Sequence, residues 1–264
     1  MKRMIAVWMI SAALMTGTAG ALPTLEIDGI KVDAVHALEA GTTYVSLRGV
    51  VETLFPTAHV TWANGQAMVQ DERLDLTAVP GQKWLTVNGR HLYIPGGIKL
   101  AAGRTLVPVR VLAEAFGTKV MWDGDAGTVR MITTGQTPPH AGYDADQLYW
   151  LARIISAESQ GEPLEGQIAV GNVVLNRVEH KDFPDSIFDV IFDGRWGGQF
   201  EPVRNGTIYN APVESSVIAA KLCLEGAVTA GSSLYFFDPS KAQNFWVSDN
   251  RPYLTTIGCH NFYG

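Results

Sequence analysis

Three patterns of apolar and polar positions divide the chain of 264 residues. Behind Lys2 and Arg3, the stretch from Ile5 to Met15 is apolar. Between residues 22 and 134 apolar residues alternate with polar ones in short runs, the period of half-buried strands. These runs are broken by Asp28-Gly29 and Asn88-Gly89, the strongest short-range hairpin signal. From Asp144 the period lengthens. Leu148, Leu151, Ala152 and Ile155 recur at three- and four-residue spacing, which predicts a helix capped by Asp144 and running toward Glu158. Ser159-Gln160-Gly161 breaks it, and Pro163 suits the first turn of a second helix with the stripe Ile168, Gly171, Val174, Leu175 and Val178. Residues 135–143, with Pro138-Pro139 and small polar residues, read as a linker. The fold class is α+β, with a β-rich part at 22–134 and a helical part at 144–264.

The first twenty-one residues have the form of a signal peptide: a charged start, an apolar centre and the small residues Ala19-Gly20-Ala21. Cleavage before Leu22 is favoured over an uncleaved anchor, because the apolar stretch falls short of the ~20 residues that span a bilayer. No later stretch is apolar and long enough to do so, which points to a secreted protein without a transmembrane segment after cleavage.

The β-rich part repeats itself with an offset of about sixty residues. Leu25 to Gly29 matches Leu85 to Gly89, and Tyr44-Val45-Ser46-Leu47-Arg48 matches Leu106-Val107-Pro108-Val109-Arg110. Each copy then runs into a short helix ending at Phe55 or Phe116, followed by Val60-Thr61-Trp62 or Val120-Met121-Trp122. The predicted unit is hairpin, short helix, hairpin, twice over. One Trp per copy at an equivalent position reads more simply as a core residue than as a sugar-stacking platform. The pattern resembles the stalk domain related to the N-terminal domain of copper amine oxidases, most fully in Arg104 to Arg110 and on to Trp122; the first copy departs from it with Ser46 in place of proline. The resemblance implies a spacer or wall-associating module. It brings no copper site, since His36, His59 and His91 are scattered.

In the helical part, Leu151 to Pro163, Glu165 to Val170 and Val174-Leu175-Asn176-Arg177-Val178 resemble the opening of the catalytic domain of SleB/CwlJ-family cell wall hydrolases. Phe183-Pro184, Gln199-Phe200-Glu201-Pro202-Val203, Leu234 to Pro239 and Ile257 to Phe262 follow in family order, spanning nearly all of Leu148 to Tyr263. The resemblance implies a mainly helical, lysozyme- or lytic-transglycosylase-like domain with a short sheet, with Glu158 as the catalytic glutamate. Gln160, where many members carry arginine, and Cys259, where asparagine is common, are departures. The helix-end position of Glu158 suits partial desolvation, which raises a carboxyl pKa toward that of a general acid at neutral pH. Gln199, Phe200 and Tyr235 are candidates to line a groove for N-acetyl sugars, with Gln167 and Glu162 as further substrate-binding candidates. Each reads equally as a core or loop residue. For Glu162 the favoured role is accepting hydrogen bonds from the first amides of the second helix.

Charge sharpens this division. Residues 22–137 carry ten Lys and Arg against eleven Asp and Glu, while residues 138–264 carry eight against fifteen. With no basic run, neither half reads as a nucleic-acid binder. Neither metal-ligand spacing nor a nucleotide-binding glycine motif appears, so no cofactor and no metal are expected. Cys223 and Cys259 are the two cysteines, and whether they pair stays open. Cys259 and His260, adjacent on a strand, point to opposite faces and make a poor catalytic dyad.

The resemblance to SleB/CwlJ-family cell wall hydrolases implies a glycosidase of peptidoglycan, acting at the bond between N-acetylmuramic acid and N-acetylglucosamine in the cell wall or spore envelope. The glycan strand is the expected partner, and Glu158 is the acid and then the base. Hydrolysis and lytic transglycosylation both remain open. The competing reading is a catalytically silent wall-binding protein, against which the acid at position 158 argues.

Overall fold

The Asx-Gly dipeptides turn where the alternation says they should, with Asp28 and Asn88 at φ 48° and glycine at positive φ after each. The first copy of the repeat runs β1 (Thr24–Ile27), β2 (Ile30–Val32), β3 (Val35–Glu39), β4 (Thr42–Ser46), α1 (Leu47–Leu54), β5 (His59–Ala63) and β6 (Gln66–Asp71). After a connecting strand, β7 (Leu74–Ala78), the second copy follows as β8 (Trp84–Val87), β9 (Arg90–Tyr93), β10 (Lys99–Ala101), β11 (Arg104–Pro108), α2 (Val109–Phe116), β12 (Lys119–Asp123) and β13 (Thr128–Ile132). This computed structural model describes residues 22–195, 198–242 and 244–264. The expected signal peptide lies outside the described residues.

Each copy thus holds two hairpins before its helix, one more than the repeat pattern predicts. The extra turns are Ala40-Gly41 and Ala102-Gly103, where alanine sits at φ 46° and 48°. Alanine is not a residue that announces a left-handed turn, so the pattern passes over them.

The copies do not fold side by side. The opening hairpin of one shares a sheet with the closing hairpin of the other: β12-β13-β1-β2 with β13 and β1 parallel, and β5-β6-β7-β8-β9. The middle hairpins join as β10-β11-β4-β3, with Val107 opposite its own repeat counterpart Val45, which places the pseudo-twofold axis at that pair. Phe55 and Phe116 meet edge to face at 5.2 Å as α1 and α2 close over one shared core. Where the first copy lacks the proline, Ser46 caps α1 by accepting the amide of Gly49 at 3.3 Å, whereas Pro108 offers α2 no side-chain cap.

Trp62 and Trp122 correct the sequence reading. They are 50% and 56% exposed, on edge strands β5 and β12, and belong to neither core.

In the C-terminal part, α3 (Ala145–Ser159) starts at Asp144, whose side chain accepts the Gln147 amide at 2.9 Å. It packs with α4 (Leu164–Val178) and with the later helix Glu214–Leu224. The short helices α5 (Ile187–Ile191) and α6 (Glu201–Asn205) lie between them in sequence, so Glu214–Leu224 is α7. Gly171 lets these three helices close in. A Cβ there would stand 2.6 Å from Cys223 Sγ and 2.8 Å from Ile155 Cδ1. Finally β14 (Tyr235–Phe237), β15 (Tyr253–Ile257) and β16 (His260–Tyr263) form a sheet ordered β14-β16-β15 beside the helices, with α8 (Trp246–Asn250) between β14 and β15 in sequence. Both cysteines are free: Cys223 is buried between helices and Cys259 is exposed.

The helical core is separate from the β-rich core, but β8 and β9 touch both, with Trp84 and Tyr93 packing against the helices. Arg90 bridges Glu225 at 2.7 Å and Glu114 at 3.2 Å, and Lys83 pairs with Glu165. Residues 135–143 are held along this seam. The Ala141 amide donates to the Asn88 carbonyl at 3.0 Å, and the His91 amide donates to the Tyr143 hydroxyl at 3.2 Å.

Candidate active site

Glu158 stands one residue before the end of α3, where the helix turns toward α4. The turn is tied by Ser159, whose hydroxyl donates to the Ile155 carbonyl at 2.7 Å, and by the Glu162 amide, which donates to the Ser159 carbonyl at 2.9 Å. Burial pushes the Glu158 carboxyl up to about 7; the negative charge of Glu201, at the start of α6, adds to the rise and the Arg177 guanidinium opposes it. A carboxyl titrating there is about half protonated in neutral solution and both gives up and takes back its proton readily, the property required of one group that is first acid and then base.

Arg177 occupies the last turn of α4 and is 4% exposed. Its Nε donates to the Leu234 carbonyl at 2.8 Å, and its guanidinium lies 4.9, 5.2 and 5.5 Å from the ring centroids of Phe183, Phe200 and Tyr235. Nη1 is buried without a hydrogen-bond partner among the described residues. Burial lowers its pKa to about 10, and the charges of Tyr235, Asp193 and Glu158 resist that fall, so the group stays cationic at neutral pH. Neither Arg177 nor Glu201 is singled out as a candidate by sequence. The available signal for Arg177 was an arginine three residues after Val174 on an otherwise apolar stripe.

The candidate substrate residues separate into two groups. Tyr235 is half-buried on β14, with Arg251 4.9 Å over its ring, and Gln199 is half-buried with Nε2 3.4 Å from the Arg195 carbonyl; both stay partly accessible. Phe200 and Gln167 are committed to the interior, and Glu162 is half-buried and engaged by its neighbours. Phe200 is 3% exposed beneath Arg177. Gln167, equally buried, donates to the Glu162 carbonyl at 3.0 Å and accepts from the Ser216 hydroxyl at 2.8 Å. Glu162 does not serve the first turn of α4. Its carboxylate accepts the Cys259 amide at 2.9 Å and lies 4.0 Å from His260 Nδ1, fastening the β15–β16 turn to the α3–α4 joint. A side chain at Gly258, which has φ +59°, would strike that carboxylate. The His260 ring faces inward while Cys259 lies outside, which separates the pair. Half-exposed aromatics that sequence reasoning did not single out, Phe245, Trp246 and Tyr253, stand on the same sheet-and-α8 layer as Tyr235. Among the described residues no group of three or more His, Cys, Asp or Glu is placed to hold a metal ion.

Comparison with known proteins follows the same division. The family model described as cell wall hydrolase matches residues 161–263, beginning just after Glu158, and the copper amine oxidase N-terminal domain matches residues 26–131. The cell wall hydrolase CwlJ of Bacillus subtilis is 31% identical over 122 residues, which cover 43% of this chain and 81% of that protein. The chain belongs to the cell wall hydrolase family. The spore cortex-lytic enzyme of Bacillus cereus is 37% identical over 121 residues, 46% of the chain and 45% of the relative, so the chain spans about half the length of that relative. Among solved structures, the catalytic domain of the germination-specific lytic transglycosylase SleB from Bacillus anthracis is 36% identical, with a TM-score of 0.43, covering 48% of this chain and all of that chain.

Proposed function

We propose that this protein cuts the glycan strands of peptidoglycan between N-acetylmuramic acid and N-acetylglucosamine as a lytic transglycosylase, with Glu158 as sole acid and base. The observation that carries the reading is the Glu158 carboxyl held near pH 7 at the α3–α4 joint. Its proton passes to the glycosidic oxygen as the C1–O bond breaks and positive charge develops at C1 of the muramic acid. The carboxylate left behind is stabilised by Arg177, and then takes the proton of the muramic acid's own 6-hydroxyl as that oxygen bonds to C1. Atoms balance without water, giving a 1,6-anhydro end. Glu162 accepts the Cys259 amide and faces His260 at 4.0 Å, a fastening role between the β15–β16 turn and the α3–α4 joint that is consistent with the single-carboxylate course. The similarity to the spore cortex-lytic enzyme of Bacillus cereus supports this reading, with action in the wall or spore envelope.

The test is product identity. Purified peptidoglycan, vegetative and cortex, is digested and the fragments are weighed by mass spectrometry. Anhydro-muropeptides are expected. Products with free reducing ends at muramic acid would replace transglycosylation by hydrolysis, and cleaved peptide stems would overturn the glycosidase reading.

A further inference from the structure

The two repeat tryptophans sit where a strand faces solvent, and an indole left half wet forgoes a large part of the ~1.5–3 kcal/mol that burying a large side chain yields. Trp122 has a neighbour that Trp62 lacks: it borders a groove of about 1040 Å³ between the β3–β4 hairpin, the start of α2 and β12. Leu38 and Met121, 49% and 57% exposed, stand beside it as further accessible apolar walls. Tyr44 forms the floor, its hydroxyl donating to the Gly97 carbonyl at 3.3 Å, and Gly96 leaves room for it, because a Cβ there would come within 2.4 Å of that hydroxyl. Two cations reach the groove. Lys99 lies 4.6 Å over the Tyr44 ring and pairs with Glu39, while Arg110 is exposed and has no ion pair among the described residues.

We propose that this groove in the N-terminal module is a second binding site for the wall polymer, holding an uncut peptidoglycan strand with a sugar face on Trp122 and a carboxylate of the lactyl-peptide stem at Arg110. The proposal rests on the glycosidase reading for its choice of polymer. The groove, at about 1040 Å³, lies at the upper end of the ~300–1,000 Å³ typical of small-ligand pockets, room enough for a segment of polymer. An amino-sugar strand presents apolar ring faces and regularly spaced carboxylates, the complement of an indole beside an unpaired guanidinium. Nucleic acid would need more positive charge than two cations in a module with ten basic and eleven acidic residues. The Arg90–Glu225 and Lys83–Glu165 bridges fix the groove relative to the helical part, so a strand held there keeps neighbouring strands at raised local concentration around Glu158.

The test uses the full mature chain carrying Glu158→Gln, so that the wall is retained, and purified peptidoglycan stripped of accessory polymers. Sedimentation should show Trp122→Ala and Arg110→Glu each binding about five- to tenfold more weakly than the parent. Trp62→Ala, equally exposed but away from the groove, should bind as the parent does, and circular dichroism should report the same fold for all. In the otherwise wild-type chain, Trp122→Ala should slow digestion of insoluble wall while leaving turnover of soluble glycan fragments unchanged. Binding within twofold of the parent for Trp122→Ala or Arg110→Glu, or an equal loss in Trp62→Ala, overturns the site. Cleavage by the Glu158→Gln parent would instead overturn the glycosidase mechanism, and the binding comparison would still stand.

Discussion

If burial holds the Glu158 carboxyl near pH 7, the folded protein resists ionising a group that ionises freely once unfolded, and the cost must appear as pH-dependent stability. The folded pKa of about 7 lies above the ordinary 4.5. The stabilisation is therefore full below pH 4.5 and is lost as pH rises through 7. At 1.36 kcal/mol per pKa unit the cost reaches about 3 kcal/mol at pH 8, against roughly 1 kcal/mol at pH 5. Glutamine at the same position does not titrate. The stability of Glu158→Gln minus that of wild type should thus grow by about 2–3 kcal/mol between pH 5 and pH 8, whatever the constant offset of the substitution. Urea unfolding of both proteins, followed through the helical signal in the far-ultraviolet circular dichroism, measures it. A difference that stays flat with pH, or shrinks, would refute the desolvated carboxyl and with it the physical basis for an acid at this position.

The same titration bears on turnover and on the surrounding packing. Wild-type activity should fall as pH rises through about 7, and Glu201→Gln, by removing a charge that raises Glu158, should move that fall to lower pH in a pH–rate profile. Gly171→Ala should cost roughly 1–3 kcal/mol by thermal unfolding, because the new methyl meets Cys223 and Ile155, and Cys223→Ala in the same chain should recover part of the loss. Arg90→Ala should cost about 3 kcal/mol, since it leaves Glu225, only 12% exposed, with its charge unpaired at the seam between the two cores. Chemical denaturation checks that value.

Local signals in the sequence were legible because local chemistry decides them. Asp28-Gly29 and Asn88-Gly89 turn hairpins, Asp144 caps α3, and the three- and four-residue stripes place α3 and α4. The family resemblance, read from spaced motifs in both parts, agrees with the cell wall hydrolase and copper amine oxidase N-terminal matches. What escaped depends on partners distant in sequence. The repeat announces two copies but not that their outer hairpins exchange sheets, since alternation says which face is buried and not which strand lies alongside. Trp62 and Trp122 fall at outward positions of edge strands, where an equivalent place in a repeat carries no information on burial. Glu162 stands two residues before α4 in sequence, but in space its carboxylate accepts the Cys259 amide, ninety-seven residues away. Gln167 and Phe200 have the chemistry of sugar contacts, but hydrogen bonding to Ser216 and the cover of Arg177 turn both inward.

The most direct measurement of the central claim is the rate at which purified peptidoglycan is solubilised by wild type and by Glu158→Gln, compared at pH 6, where the carboxyl is mostly protonated. Loss of the acid and base should lower the rate by at least about a hundredfold, with circular dichroism showing the variant folded. Solubilisation by Glu158→Gln at a rate near that of wild type would contradict the assignment of Glu158.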